Sequence, residues 1–174
     1  IAGRREIVER IRKSPLKRAL RVSKLPLAAL EATLQLYLRP ERLTQDLPTL
    51  RLLTRPREAI AALAQALMEP LAQAVSPRFE VAVVDTQSQV GSGALPEATI
   101  PSAGLALQPV GTAKKDVNAA LTALATALRG LPQPVIGRVE ANSLVLDLRC
   151  LEEPRDLLGQ LPRLRESLAL SSPP

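Results

Sequence analysis

The sequence is poor in the side chains from which many metal sites and acid–base sites are built. It has no His and no Trp, and only one each of Cys, Met, Tyr and Phe. Without His a Ser-His-Asp triad cannot form. Because Cys150 has no second cysteine, an intramolecular disulfide is excluded and no structural metal site is expected. With Tyr37 and Phe79 as the only aromatics, we expect no aromatic platform for stacking nucleic-acid bases.

Long apolar runs are also missing. Charges and 16 prolines interrupt every apolar stretch, so none reaches the roughly 18 residues that a membrane-spanning helix needs. The lone cysteine fits a reducing compartment, and we expect a cytoplasmic protein with no membrane partner. The 174 residues suit one compact domain, or one domain plus a helical connector. The sequence begins at Ile1, in the middle of a pattern, and we expect it to be a C-terminal piece of a longer protein.

Positive charge is concentrated at the start of the chain. Residues 1–24 hold nine basic and two acidic residues, a balance of +7, although the whole chain carries only +6. Such a segment attracts phosphates, nucleic acid or acidic lipid, although it can equally be a solvated helix face. Arg18 and Arg21 follow Pro15 outside a clean amphipathic run, and two guanidinium groups a few residues apart can hold an oxyanion by paired N–H bonds.

The apolar pattern predicts helices first, then strand, strand, helix, strand, strand, helix. This order indicates an α+β fold, with an antiparallel sheet covered on one side by helices. The predicted elements are helices over residues 4–13, 26–39, 43–53 (interrupted at Pro48) and from Thr54 to a kink or end at Pro70; strands from Phe79 and around Leu105; a helix from Asp116 to Gly130; a hairpin turning at Ala141-Asn142; and a helix from Pro154 broken at Pro162.

Outside the basic segment, few residues suggest chemistry. Gly91-Ser-Gly93 is predicted as a tight turn rather than a phosphate cradle, because the Lys-Ser/Thr of a P-loop is missing. Cys150 is expected to be a small core residue, and Arg138, in a predicted strand, to lie on the surface or point into a cleft. The carboxylates form no pair by spacing and are expected at the surface: Asp85, Glu97, Glu140 and Asp147.

Several blocks of the chain carry a recognisable pattern, and together they span nearly its whole length. They are Pro15-Leu-Lys-Arg-Ala-Leu-Arg21, Leu27-Ala-Ala-Leu-Glu-Ala-Thr-Leu34 with Tyr37-Leu38, Pro48-Thr-Leu-Arg-Leu-Leu-Thr54, Gly91-Ser-Gly-Ala-Leu-Pro96 with Pro101-Ser102, Pro134-Val-Ile-Gly-Arg138, and Leu146-Asp-Leu-Arg-Cys-Leu151. In this order the blocks resemble bacterial selenocysteine synthases, the L-seryl-tRNA(Sec) selenium transferases.

The resemblance implies the C-terminal part of a fold type I pyridoxal-phosphate transferase, an α/β enzyme. Such enzymes convert seryl-tRNA(Sec) to selenocysteinyl-tRNA(Sec) with selenophosphate, through a dehydroalanyl intermediate, with pyridoxal 5′-phosphate as the electron sink. They assemble as a ring-like homodecamer built from dimers. Residues 1–25 would end the cofactor domain, residues 26–76 form a helical connector, and residues 77–174 form a small α+β domain. The Schiff-base lysine would lie upstream of Ile1, so this chain alone would be inactive.

The resemblance also assigns candidate site residues. Arg18 and Arg21 match the anion-binding arginines for selenophosphate. Ser23, where the family usually has Asp, and Lys24 and Arg138 are further candidates for a cleft. Alternatives remain open: a related pyridoxal-phosphate enzyme with another substrate, a basic RNA-binding module, or an oligomerisation module formed by the leucine stripe of residues 27–38.

Overall fold

The computed structural model describes residues 3–89 and 99–170. The chain divides into two compact units, Ile1–Arg51 and Leu52–Pro174, and each is described by itself. The expected division at residues 25 and 76 stays a prediction. In the described ranges, no helix is both long enough and apolar enough to cross a membrane.

The first unit is helical. Its helices are α1 Arg5–Lys13, α2 Lys24–Leu36, α3 Leu43–Asp46 and the start of α4 Pro48–Leu53, with a 3-10 helix at Pro15–Lys17. The interruption at Pro48 is confirmed. Helix α2 begins two residues before Pro26, whose missing N–H falls in the first turn, where no intrahelical partner is needed. Among residues 3–51, none is buried.

Helix α5, Arg57–Val75, opens the second unit and does not end at Pro70, which was one of the two outcomes expected there. The helix continues for five residues beyond that proline. Pro70 removes one backbone hydrogen bond, but Leu67 before it and Leu71 after it are both buried in the core. Their burial holds the two halves of the helix on one packing surface. The residue before the helix is Pro56 rather than the predicted Thr54 cap.

The sheet has four antiparallel strands in the order β1-β2-β4-β3. The strands are β1 Phe79–Gln89, β2 Thr99–Pro109, β3 Arg138–Glu140 and β4 Ser143–Asp147. Strand β2 is longer than predicted, because it already includes Pro101. The predicted turn at Ala141-Asn142 is confirmed, and both residues have positive φ (47° and 61°), as the tight hairpin turns require.

Helices cover one face of this sheet, which confirms the predicted α+β architecture. Helices α5 and α6 Val117–Arg129 pack on the strands, and α7 Arg155–Leu158 and α8 Leu161–Leu170 pack against these helices. Alternate strand residues point to this face, where Leu105 and Leu107 of β2 pack with Leu144 and Leu146 of β4 in the buried cluster. The break in the last helical segment falls before Leu161, not at Pro162 as predicted, since Pro162 is accommodated in the first turn of α8.

Candidate functional site

The two predicted anion-binding arginines lie in the irregular stretch between the 3-10 helix and α2. Arg18 follows the last residue of the 3-10 helix, and Arg21 lies three residues further on. Both are exposed. Ser14 fixes the start of this stretch, because its Oγ accepts a hydrogen bond from the backbone N–H of Leu16 at 3.3 Å.

Ser23 and Lys24 form the entry to helix α2. Ser23 occupies the N-cap position in an extended conformation, but its hydroxyl makes no capping hydrogen bond, and Lys24 is the first helical residue. Both side chains are exposed. All nine basic residues of the segment 1–24 are exposed as well. This arrangement can attract an oxyanion from solvent, but these residues alone do not enclose one.

A pyridoxal-phosphate site needs a lysine that reaches the cofactor within an enclosed pocket, and no lysine of this chain is enclosed by the described residues. The chain has five lysines, and every one is exposed: Lys13, Lys17, Lys24, Lys114 and Lys115. Across residues 3–89 and 99–170, no group of three His, Cys, Asp or Glu side chains could hold a metal ion.

Arg138 lies on the face of the sheet that points away from the helices. Its Nε donates to Glu140 Oε2 at 3.0 Å, and its side chain is 45% exposed. With Thr86 and Val145 it borders a shallow concavity of about 370 Å³. Thr86 is only 6% exposed, and its hydroxyl has no hydrogen-bond partner. Arg138 is thus at the rim of an open depression, between the two alternatives that the sequence allowed.

Two further expectations are wrong. Cys150 is exposed rather than part of the core, because it follows the end of β4, where strand alternation no longer holds it inside. Asp147 is half-buried rather than at the surface: it accepts hydrogen bonds from Ser88 Oγ at 2.5 Å and Ser102 Oγ at 2.7 Å. Asp85 and Glu140 are exposed as expected, whereas Glu97 and Gly91-Ser-Gly93 lie outside the described residues.

The residue that the sequence analysis missed is Arg149. It is only 3% exposed, although Arg is rarely buried without partners. Its Nε donates to Ser88 Oγ at 3.1 Å, Nη2 to the Pro101 carbonyl at 2.5 Å, and Nη1 to three further carbonyls. One feature of the sequence could have indicated Arg149: it lies two residues after Asp147, within one of the blocks that carry the resemblance.

Comparison with known proteins covers nearly all of this chain. The sequence profile of the family SelA, L-seryl-tRNA selenium transferase, matches residues 1–152. Curated L-seryl-tRNA(Sec) selenium transferases from Methylocella silvestris, Klebsiella pneumoniae and Serratia proteamaculans are 49%, 50% and 48% identical over 94%, 94% and 92% of this chain. The chain spans about a third (34%) of each relative, in its C-terminal portion. The chain therefore belongs to the L-seryl-tRNA selenium transferase family.

Proposed function

We propose that this chain is the C-terminal part of an L-seryl-tRNA(Sec) selenium transferase, which converts seryl-tRNA(Sec) to selenocysteinyl-tRNA(Sec) with selenophosphate. The observation that carries the proposal is identity near 49% over 94% of the chain to curated enzymes of that name. The chain supplies about a third of such an enzyme, so its contribution is a set of binding and packing surfaces.

Arg18 and Arg21 bind the selenophosphate anion in this proposal. Their exposure supports it, because a side chain without buried partners can turn toward a ligand. Guanidinium groups form paired, charge-assisted hydrogen bonds to phosphate-like oxygens, and the surrounding +7 segment raises the local concentration of anions. Ser23 and Lys24, next in sequence, are secondary candidates for the same site.

Pyridoxal phosphate and its lysine belong to the remainder of the enzyme. The exposure of all five lysines of this chain supports that assignment. In the proposed arrangement residues 1–25 end a fold type I cofactor domain, residues 26–76 connect, and residues 77–174 form the small domain, to whose core α5 contributes Ile60, Leu67 and Leu71. The working enzyme is a cytoplasmic homo-oligomer built from dimers, as a ring-like decamer.

The test uses the full-length enzyme that contains this sequence, with Arg18→Ala and Arg21→Ala made singly and together. Each lost charge-assisted contact weakens anion binding by about 1.5–3 kcal/mol, which corresponds to tenfold or more in KM for selenophosphate. Steady-state formation of selenocysteinyl-tRNA, with each substrate varied in turn, measures that KM separately from the KM for seryl-tRNA.

Arg5→Ala with Arg10→Ala is the matched control, because it removes two exposed positive charges from the same segment. Specific binding predicts that the control leaves the selenophosphate KM within about twofold. Equal effects of both pairs would refute the assignment and leave only a general electrostatic role. A rise confined to the seryl-tRNA KM, with strong salt dependence, would instead support the RNA-binding alternative.

A further inference from the structure

Two arginines of the second unit hold each other's backbone segments. Arg55 Nη1 donates to the carbonyls of Arg149 at 2.6 Å and Leu151 at 2.7 Å, with a longer bond to Leu148 at 3.3 Å. In return Arg149 Nη1 lies 3.1 Å from each of three carbonyl oxygens, those of Leu52, Leu53 and Arg55. The contacts are reciprocal and join residues more than 90 positions apart in sequence.

The positive charge of Arg149 is balanced inside the protein. Its Nε donates to Ser88 Oγ, and the Ser88 hydroxyl donates to Asp147 Oδ2 at 2.5 Å. Asp147 also accepts the backbone N–H of Arg149 at 3.1 Å and the hydroxyl of Ser102. Every guanidinium nitrogen of Arg149 therefore already has a protein acceptor. Because the residue is also almost fully buried, it has no face to offer a substrate anion.

The segment held by this network is Leu52–Arg55. Leu52 and Leu53 end helix α4, where the last carbonyls have no intrahelical donors; the Leu52 carbonyl accepts one long backbone bond, from the Arg55 N–H at 3.4 Å. A cation at a helix C-terminus interacts favourably with those carbonyls. The same segment leads directly into α5, the helix that opens this unit. It is also where the unit is joined in sequence to residues 1–51, which carry Arg18 and Arg21.

We propose that Arg149 and Arg55 are positioning residues: they form a reciprocal clamp that fixes the backbone of Leu52–Arg55 within the second unit, and the enzyme needs this fixed segment to use selenophosphate. The catalytic consequence rests on the proposed function, whereas the clamp itself does not. Lysine cannot replace Arg149, because one ammonium group lacks the planar fork whose separate nitrogens reach Ser88 Oγ, the Pro101 carbonyl and the carbonyls of Leu52–Arg55 at once.

Hydrogen exchange on the 174-residue chain tests the clamp without any activity. The comparison includes the unmodified chain, Arg149→Lys, Arg55→Ala and the double variant, with Arg163→Lys and Arg163→Ala on the exposed face of α8 as the matched controls. Each clamp variant is expected to speed exchange in peptides covering residues 50–57 about tenfold. Because each arginine holds the other's segment, the double variant should exchange little faster than either single one.

Unchanged exchange in Arg149→Lys, or independent effects that multiply in the double variant, would overturn the clamp. In the full-length enzyme, Arg149→Lys is expected to lower kcat/KM for selenophosphate about tenfold, as much as Arg149→Ala, with the KM for seryl-tRNA unchanged. Near-normal activity of Arg149→Lys would overturn the positioning role, since a lysine can replace an arginine that merely supplies charge. If Arg18 and Arg21 prove irrelevant to selenophosphate, the exchange result still decides the clamp.

Discussion

At Gly104, in the middle of strand β2, adding a single methyl group should lower the stability of the chain substantially. A Cβ added there would lie 2.2 Å from the carbonyl oxygen of Leu146 and 3.2 Å from Cγ2 of Thr86. Side-chain carbons do not approach a backbone oxygen so closely, and the obstacle is backbone, which cannot rotate aside. Gly104→Ala must therefore push β2 and β4 apart by about 1 Å.

The magnitude follows from what this separation breaks. Gly104 lies opposite Asp147 at the end of a four-residue register between β2 and β4. Overpacking of this kind costs about 1–3 kcal/mol, and each ladder hydrogen bond lost costs about 1 kcal/mol more. A total of about 3 kcal/mol is a large part of the 5–15 kcal/mol by which domains are stable.

Urea unfolding of the 174-residue chain, followed by far-ultraviolet circular dichroism, measures this loss. With a denaturant slope of about 2 kcal/mol per molar, the midpoint should fall by about 1.5 M. Gly130→Ala is the control, because its added Cβ would find its nearest atom at 3.4 Å, and it should change stability by less than about 0.5 kcal/mol. A Gly104→Ala midpoint within 0.3 M of that control would refute the reasoning.

Two further predictions use the same chain. Asp147→Asn should lower the free energy of unfolding in urea by about 2 kcal/mol, because two hydroxyl donors lose a charged acceptor. Asp85→Asn is the control: the Asp85 side chain is 73% exposed, so this change should lower the stability by less than about 0.5 kcal/mol. Equal losses would contradict the buried network. Leu30 and Leu34 of α2 are more than half exposed, so light scattering should detect association of the chain that increases with concentration. The double variant Leu30→Glu/Leu34→Glu should abolish this association, and Glu31→Gln should not. A monomer at every concentration would contradict the prediction.

The fold was largely predictable from local patterns. The hairpin turn could be located because it needs two successive residues with positive φ, and asparagine, present here as Asn142, tolerates positive φ better than most residues. The prolines misled, because their effect depends on tertiary packing. Pro70 lies within a helix whose buried residues on both sides keep it continuous, and Pro101 lies within a strand. Rules based on neighbouring residues alone do not include the packing energy that keeps these prolines within a helix or a strand.

The candidate site was predictable only where charge density marked it. The basic segment stands out in the sequence, and its nine basic residues are exposed. The depression beside Arg138 is formed by residues of all four strands and could not be located without their register. Cys150 was misplaced for a related reason, since three residues beyond the end of β4 its direction no longer follows the alternation.

The arginines of this chain differ in what their nitrogen atoms still have available, and this difference separates binding from positioning. Arg149 is buried and each of its guanidinium nitrogens donates to a protein acceptor, so a substrate anion would have to displace contacts already formed in a place that excludes water. Arg55 is half-buried, and its Nη1 donates to carbonyl oxygens of the same unit. Arg18 and Arg21 are exposed, and an anion need displace only water from them. Since net affinity is the surplus over contacts already made, an oxyanion gains more free energy at an exposed arginine than at Arg149. In the proposed role, Arg149 therefore acts on catalysis through the backbone that it holds rather than by binding the anion.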